Sequence, residues 1–353
     1  MRVILALAVT LVAGLVIGLS CDKATEPEPT GPKEYPVYFA DPNTHSAFVY
    51  DPLTGKVDSL PIHADTRDGM RVSPDGRTLY MSNYYSVVAL DLVGMSFSTV
   101  LARRAKFGVV PSPDGRLLAA LGDDLDIYDL ESMSLIHHDT NEVLNGCFAI
   151  DSKRFHVVAK TGGGQLPHVY TVNLGSGNQV TRTFFSQRAP RVIVPDSDSS
   201  HWYLIQSVGM FLDRFEVYDV SADSIIFADD LVPGNGRIAV SPDGRYVFYT
   251  NVGPFLDIGQ PDPPYTITVY DTETNQRVKE IRTVGVFGND TLETEMAVFE
   301  VCCTPDGRWL VGIDNALTFG IITVDLETLE VARWDELERY SPFKQWLSCQ
   351  SSL

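Results

Sequence analysis

The chain has 353 residues, with 46 acidic against 27 basic side chains and a formal charge of −19. So large a negative excess repels a phosphate backbone, which removes nucleic acid from the expected partners. Five cysteines at sparse spacings exclude a disulfide framework and a zinc motif.

In chain order, Arg2 precedes an unbroken run of apolar and small residues from Val3 to Leu19, which ends at Ser20 and Cys21. A short positive end, an apolar middle and small residues before a cut have the layout of a secretory signal over 1–20. "LSC" resembles the lipobox of bacterial lipoproteins, although Gly18 stands where Leu is usual. The resemblance implies that the Cys21 thiol carries a lipid. An uncleaved membrane helix and a plain secretory signal are the alternatives. Residues 21–34 are rich in Pro and charge and build no core, so they read as a tether. The expected location is a membrane-anchored lipoprotein on the periplasmic or cell-surface side.

Residues 35–353 repeat. "SPDGR" stands at 73–77, 112–116 and 241–245, and "TPDGR" at 304–308. Weaker copies, "AIDSKR" and "VPDSDSSHW", fill 149–154 and 194–202. Pro presets φ and Gly supplies a positive φ, so each copy is a tight turn between two strands. A second motif, a short strand ending in an acid or amide before a polar turn, falls at Asp51, Asp91, Asp129, Asn173, Asp219, Asp271 and Asp325. Its spacings run from 38 to 54 residues. Units of four short antiparallel strands at this period are propeller blades. The expected fold is all-β, a seven-bladed β-propeller of four-stranded antiparallel blades over 35–353.

"SPDGRYVFYTN" followed by "YTITVYDTETNQRVKEI" resembles the YVTN repeat of bacterial β-propellers. "SPDGRTLYMSN" and "TPDGRWLVGIDN" match well, and the blades around 140–230 match poorly. TolB-type propellers share the turn. The first unit shows only three strands. The C-terminal segment 336–353, through "FKQWLSC", supplies the missing innermost strand, or else the tail is peripheral and the first blade has three strands.

Loops leading into the innermost strands, where propeller ligands usually meet the fold, carry cations in a chain short of them: Arg67, Arg103, Arg104, Lys106, Arg188, Arg191 and Arg237. They form either a positive mouth suited to a carboxylate or anionic partner, or rim charges paired with nearby acids. Two long loops, 206–214 and 250–265, have apolar centres with Met210, Phe211, Phe255 and Leu256. These either contact a partner or fold over the channel. Cys303 is read as a buried thiol or as bridged to Cys349; neighbours on a strand point to opposite faces, so a Cys302–Cys303 bond is disfavoured. The seven His are scattered and show no metal or acid–base spacing. No catalytic set, metal or cofactor is nominated.

The reading is therefore a lipid-anchored, monomeric binding or scaffold module for a protein or envelope ligand, rather than an enzyme. Two alternatives stand on fold analogy. One is a propeller hydrolase resembling lactonases. The other is a cofactor-free propeller subunit of a periplasmic redox complex, resembling the heavy subunit of amine dehydrogenases.

Overall fold

In blades 2, 3, 6 and 7 of the structure the strand-joining turn is built the same way. The hydroxyls of Ser73, Ser112, Ser241 and Thr304 donate to Asp75, Asp114, Asp243 and Asp306 at 2.5–2.6 Å. Each hydroxyl also accepts the backbone N–H five residues on, at 2.8–3.0 Å. The turn glycines sit near φ +70°, a region L side chains rarely adopt. In blades 4 and 5 Ser152 and Ser199 take that place, at φ +55° and +60°.

The computed structural model describes residues 35–353 except 42–45, 64–68, 83–84, 103–104, 106–107, 161–167, 184–189, 197, 208–212, 232–235, 252–264, 287–292, 296–297, 315–319, 337–345 and 350–353. Among the described residues there are seven four-stranded antiparallel sheets, which form a seven-bladed β-propeller. Innermost to outermost, blade 1 is Trp346–Cys349, Val37–Asp41, Ser46–Tyr50 and Val57–His63. Cys349 pairs with Val37 and Trp346 with Ala40, so the chain's last strand closes the sheet begun by its first. The innermost strands of blades 2 to 7 are Met70–Val72, Gly108–Pro111, Glu142–Phe148, Pro190–Pro195, Ile238–Val240 and Val298–Cys303. Each lies beside the next, and the circuit returns from blade 7 through Trp346–Cys349 to Met70–Val72. A two-stranded ribbon, Val284–Val286 with Glu293–Glu295, stands in the loop leading into blade 7.

The core is divided among the gaps between blades. Seven apolar clusters occupy the seven interfaces; for example, Tyr38 and Leu60 of blade 1 pack on Met70, Leu79 and Leu90 of blade 2. At the closing interface Val37, Phe39 and Tyr50 meet Val311, Ile313 and Ile321. No single four-stranded sheet could bury both faces, so each blade depends on two neighbours. Polar ties cross the gaps as well. Tyr50 donates to Asp335 at 2.6 Å, and Tyr270 donates to Asp229 at 2.9 Å. Both tyrosines precede the acid of the second motif.

That acid caps the turn joining the third and fourth strands. Asp51, Asp91, Asp129, Asp219, Asp271 and Asp325 each accept a backbone N–H two or three residues on, at 2.8–2.9 Å. These bonds favour the ionised form and hold the Asp91, Asp129, Asp219 and Asp271 carboxyls below the usual range.

Candidate functional site: the arginine end of the central channel

The innermost strands of blades 2 to 7 bound a cavity of about 710 Å³. Val, Pro, Gly and Ile residues make up most of its lining, with Cys147 and Cys302 at matching positions of blades 4 and 7. Pro74, Pro113 and Pro195 mark the end that bears the Pro-Asp-Gly turns. Arg191, Arg237, Glu300 and Asn145 mark the opposite end, and Arg71 lies on the wall between.

Arg191 stands at the start of blade 5's innermost strand. Its Nη2 meets Asp213 Oδ2 at 2.6 Å and donates to the Gly236 carbonyl of blade 6 at 3.3 Å. Asp213 is only 2 % exposed and opens the third strand of the same blade. Burial pushes its carboxyl up, and the Arg191 charge pulls it back. Tyr249 of blade 6 donates to the same oxygen at 3.3 Å, and burial beside that acid raises its phenol. Gly236 has no room for a side chain: a Cβ would lie 1.8 Å from the Thr250 carbonyl oxygen. This close approach lets the backbone carbonyl reach Arg191.

Arg237, the next residue, is fixed from the backbone by its N–H to Thr250 Oγ1 at 2.9 Å. Its Nε reaches Glu300 Oε1 of blade 7 at 2.9 Å. The side chains of Arg191 and Arg237 remain 28 % and 35 % exposed. One end of the cavity thus holds two guanidinium groups, about a third exposed and each paired with a carboxylate, with Arg71 on the wall below.

The other sequence candidates lie elsewhere. Arg67, Arg103, Arg104, Lys106, Arg188, Met210, Phe211, Phe255 and Leu256 fall outside the described residues. Cys303 ends the innermost strand of blade 7 and Cys349 that of blade 1, but the Cys349 side chain is outside the described set, and with it the bridge weighed between them.

Two histidine–carboxylate contacts escaped the sequence reading. His138 Nδ1 lies 2.6 Å from the fully buried Asp126, across the third and fourth strands of blade 3. His201 Nδ1 lies 2.9 Å from Asp196 and 2.8 Å from Ser200 Oγ, in the turn of blade 5. Only the strand register brings the first pair together. The second is no nucleophilic relay, because serine and carboxylate meet at one ring nitrogen, whereas a relay uses both. Among the described residues no group of three or more His, Cys, Asp or Glu could hold a metal ion.

No protein-family model and no curated protein matches the chain. Its fold is similar to several solved structures. Hydrazine synthase of Kuenenia stuttgartiensis aligns at 19 % identity and a TM-score of 0.60, over 76 % of this chain and 79 % of that one. Dihydro-heme d1 dehydrogenase NirN in complex with DHE aligns at 15 % and 0.59, over 91 % and 77 %. TolB from Acinetobacter baumannii aligns at 15 % and 0.51, over 70 % and 64 %. At these identities the likeness carries the fold alone.

Proposed function

We propose that this chain is a binding propeller, tethered to a membrane through Cys21, which takes an anionic group of its partner at the arginine end of the channel. One observation carries the reading. Arg191 and Arg237 are held half-exposed at a cavity end by Asp213, Gly236, Thr250 and Glu300, in a chain whose formal charge is −19. Each of these arginines is balanced by one carboxylate, and Arg71 adds a third cation on the wall, so this end repels an anion less than the rest of an acidic surface does. The repeated turn and the Thr-Asn and Asp-Thr strand ends support a place near the YVTN-repeat propellers.

The alternative weighed from the sequence, a cofactor-free propeller subunit of a redox complex, sets the partner to look for first. Two of the similar folds belong to proteins named as a hydrazine synthase and a dihydro-heme d1 dehydrogenase. The lactonase-like reading rests on shared architecture alone.

Affinity capture of the full chain from detergent-solubilised envelope tests this proposal. The expected result is stoichiometric recovery of a subunit carrying haem or a quinone, seen by absorption spectroscopy and mass spectrometry. Arg237→Gln should lower that recovery about tenfold, the scale of one lost charged hydrogen bond of roughly 1.5–3 kcal/mol. Equal recovery with the variant would remove the arginine end from the account, and recovery without any redox group would remove the redox partner.

A further inference from the structure

We propose that the turn tips and outer edge of blades 1 to 3 dock on the lipid surface, so that the propeller rests on the membrane with its arginine end turned away. The inference rests on the Cys21 anchor of the proposed function.

The outer strands of blades 4 to 7 expose apolar side chains at Val180, Ile225, Ile226, Val278 and Val331, but blades 1 to 3 expose them also at the turns joining the third and fourth strands. In blade 2, Val93 is 78 % exposed, and Met95 and Phe97 are exposed beside it. Blade 1 adds Leu53 at the position matching Val93, and blade 3 adds Met133 and Leu135. The matching tips of blades 5 and 6 carry Ser221 and Asp223, and Glu273 and Asn275. Residues 92–101, "LVGMSFSTVL", hold no ionisable side chain, whereas the fourth strand of every other blade holds at least one. Natural outer strands are usually blunted with charge, and this one is not.

Backbone conformation gives an independent sign. Met95 and Met133 sit at φ +50° and +53°, where blade 1 has Gly55 and blade 6 has Asn275. Gly or Asn occupies that region at little cost, and a long side chain does not. Blade 7 also places a long apolar side chain there, Leu329 at φ +57°, but half-buried; blades 2 and 3 hold exposed methionines at the position. Methionine is a flexible apolar side chain suited to an irregular surface.

The chain path selects lipid as the occupant. Val37 pairs with Tyr50, one residue before the Asp51 turn, so the chain enters the ring at the turn-bearing face. It enters in blade 1, which packs directly on blade 2. Residues 22–34 could span about 40 Å at roughly 3.1 Å per residue if fully extended. An acyl group on Cys21 would hold the propeller within that reach of the bilayer by its turn-bearing side. Only residues 92–101 of blade 2 are free of charge; the ionised Asp91 and Asp129 of the tips oppose anionic headgroups, so the apolar contact of Val93, Met95 and Phe97 has to outweigh them.

The test uses the full acylated chain in phosphatidylethanolamine–phosphatidylglycerol vesicles. An environment-sensitive fluorophore is placed at Val93→Cys, or at the matching position of blade 6, Glu273→Cys, with unsubstituted protein giving the background. Brominated lipid should quench the label at 93 at least threefold more than the label at 273. Equal, water-like signals from vesicle-bound protein would overturn the docking edge and leave the anchor standing. A label at 93 shielded from water but not quenched, in protein that sediments as a dimer, would assign the edge to a second copy and also overturn it. Cys21→Ala reads the anchor separately: it should release the protein from native membranes. If it does not, the anchor falls, and the edge is then judged on non-acylated Val93→Cys protein mixed with vesicles, where absence of quenching overturns it.

Discussion

His156 shows how a blade interface fixes the chemistry of one side chain. It lies on the second strand of blade 4, 1 % exposed, with Nδ1 2.9 Å from Thr171 Oγ1 and its ring 4.7 Å from that of Trp202 in blade 5. Burial lowers its pKa from 6.5 to about 3; Arg154 adds to the shift and Asp151 opposes it. The imidazole is therefore neutral in the folded protein. As pH falls below 6.5 the unfolded chain takes up a proton that the folded chain refuses until about pH 3. This contribution to stability is complete above pH 6.5 and is lost on acidification through that window, at up to about 1.4 kcal/mol per pH unit. His156→Gln should flatten the slope of unfolding free energy between pH 6.5 and 4, whatever it does to stability at pH 7. Denaturant titrations of both proteins across that range measure it, and parallel slopes would mean that folding leaves the His156 pKa unshifted.

At the scale of the element, the Ser/Thr-Pro-Asp-Gly turn was the most legible feature of the sequence because its chemistry is local. Every partner of Ser241 lies within five residues: it donates to Asp243 at 2.6 Å and accepts from Tyr246 N–H at 2.8 Å. Blade 4 carries the natural deletion of this group. Ala149 occupies the serine's place, keeps the backbone bond to Arg154 at 2.9 Å, and is followed by Asp151, which still accepts from Lys153 N–H at 2.9 Å. The weak match of blade 4 to the repeat is thus an intact turn in which Ala149, Ile150 and Ser152 replace Ser, Pro and Gly, with the serine hydroxyl lost. Ser241→Ala should cost about 1 kcal/mol, and Ala149→Ser should restore up to a similar amount, because Asp151 already stands where the new hydroxyl would donate. Urea midpoints at constant m-value test both directions. A destabilising Ala149→Ser would mean that the hydroxyl finds no room beside Ser152 and the strand ends.

At the scale of the whole molecule, what the sequence hid is what only closure brings together. The spacing of six aspartates and Asn173 disclosed the number of blades, but Arg191 finds Asp213 22 residues away and Arg237 finds Glu300 63 residues away. Those pairs depend on strand register and on the neighbouring blade, which no local motif encodes. The tail was ambiguous for the same reason, since "WLSC" carries neither turn motif and four residues have no readable period. Its placement makes a strong demand. Trp346–Cys349 pairs with Val37–Ala40 and lies between the innermost strands of blades 7 and 2, so it joins the two chain ends into one ring. A chain ending at residue 342 loses those ladder bonds, at about 1 kcal/mol each, and uncovers the flank of a strand whose Val37, Tyr38 and Phe39 are buried. A loss of at least about 3 kcal/mol is expected, a fall in Tm of roughly 4–5 °C or more for a domain of this size. The bare edge of Val37–Asp41 should also promote association, because nothing then covers its backbone groups. Adding a peptide of residues 340–353 should recover the Tm and the monomer, since the peptide can fill the vacated position without a covalent link. Scanning calorimetry with and without the peptide separates the cases: a truncated chain that melts like the intact one would show that blade 1 holds with three strands and that the interfaces between blades alone keep the ring shut.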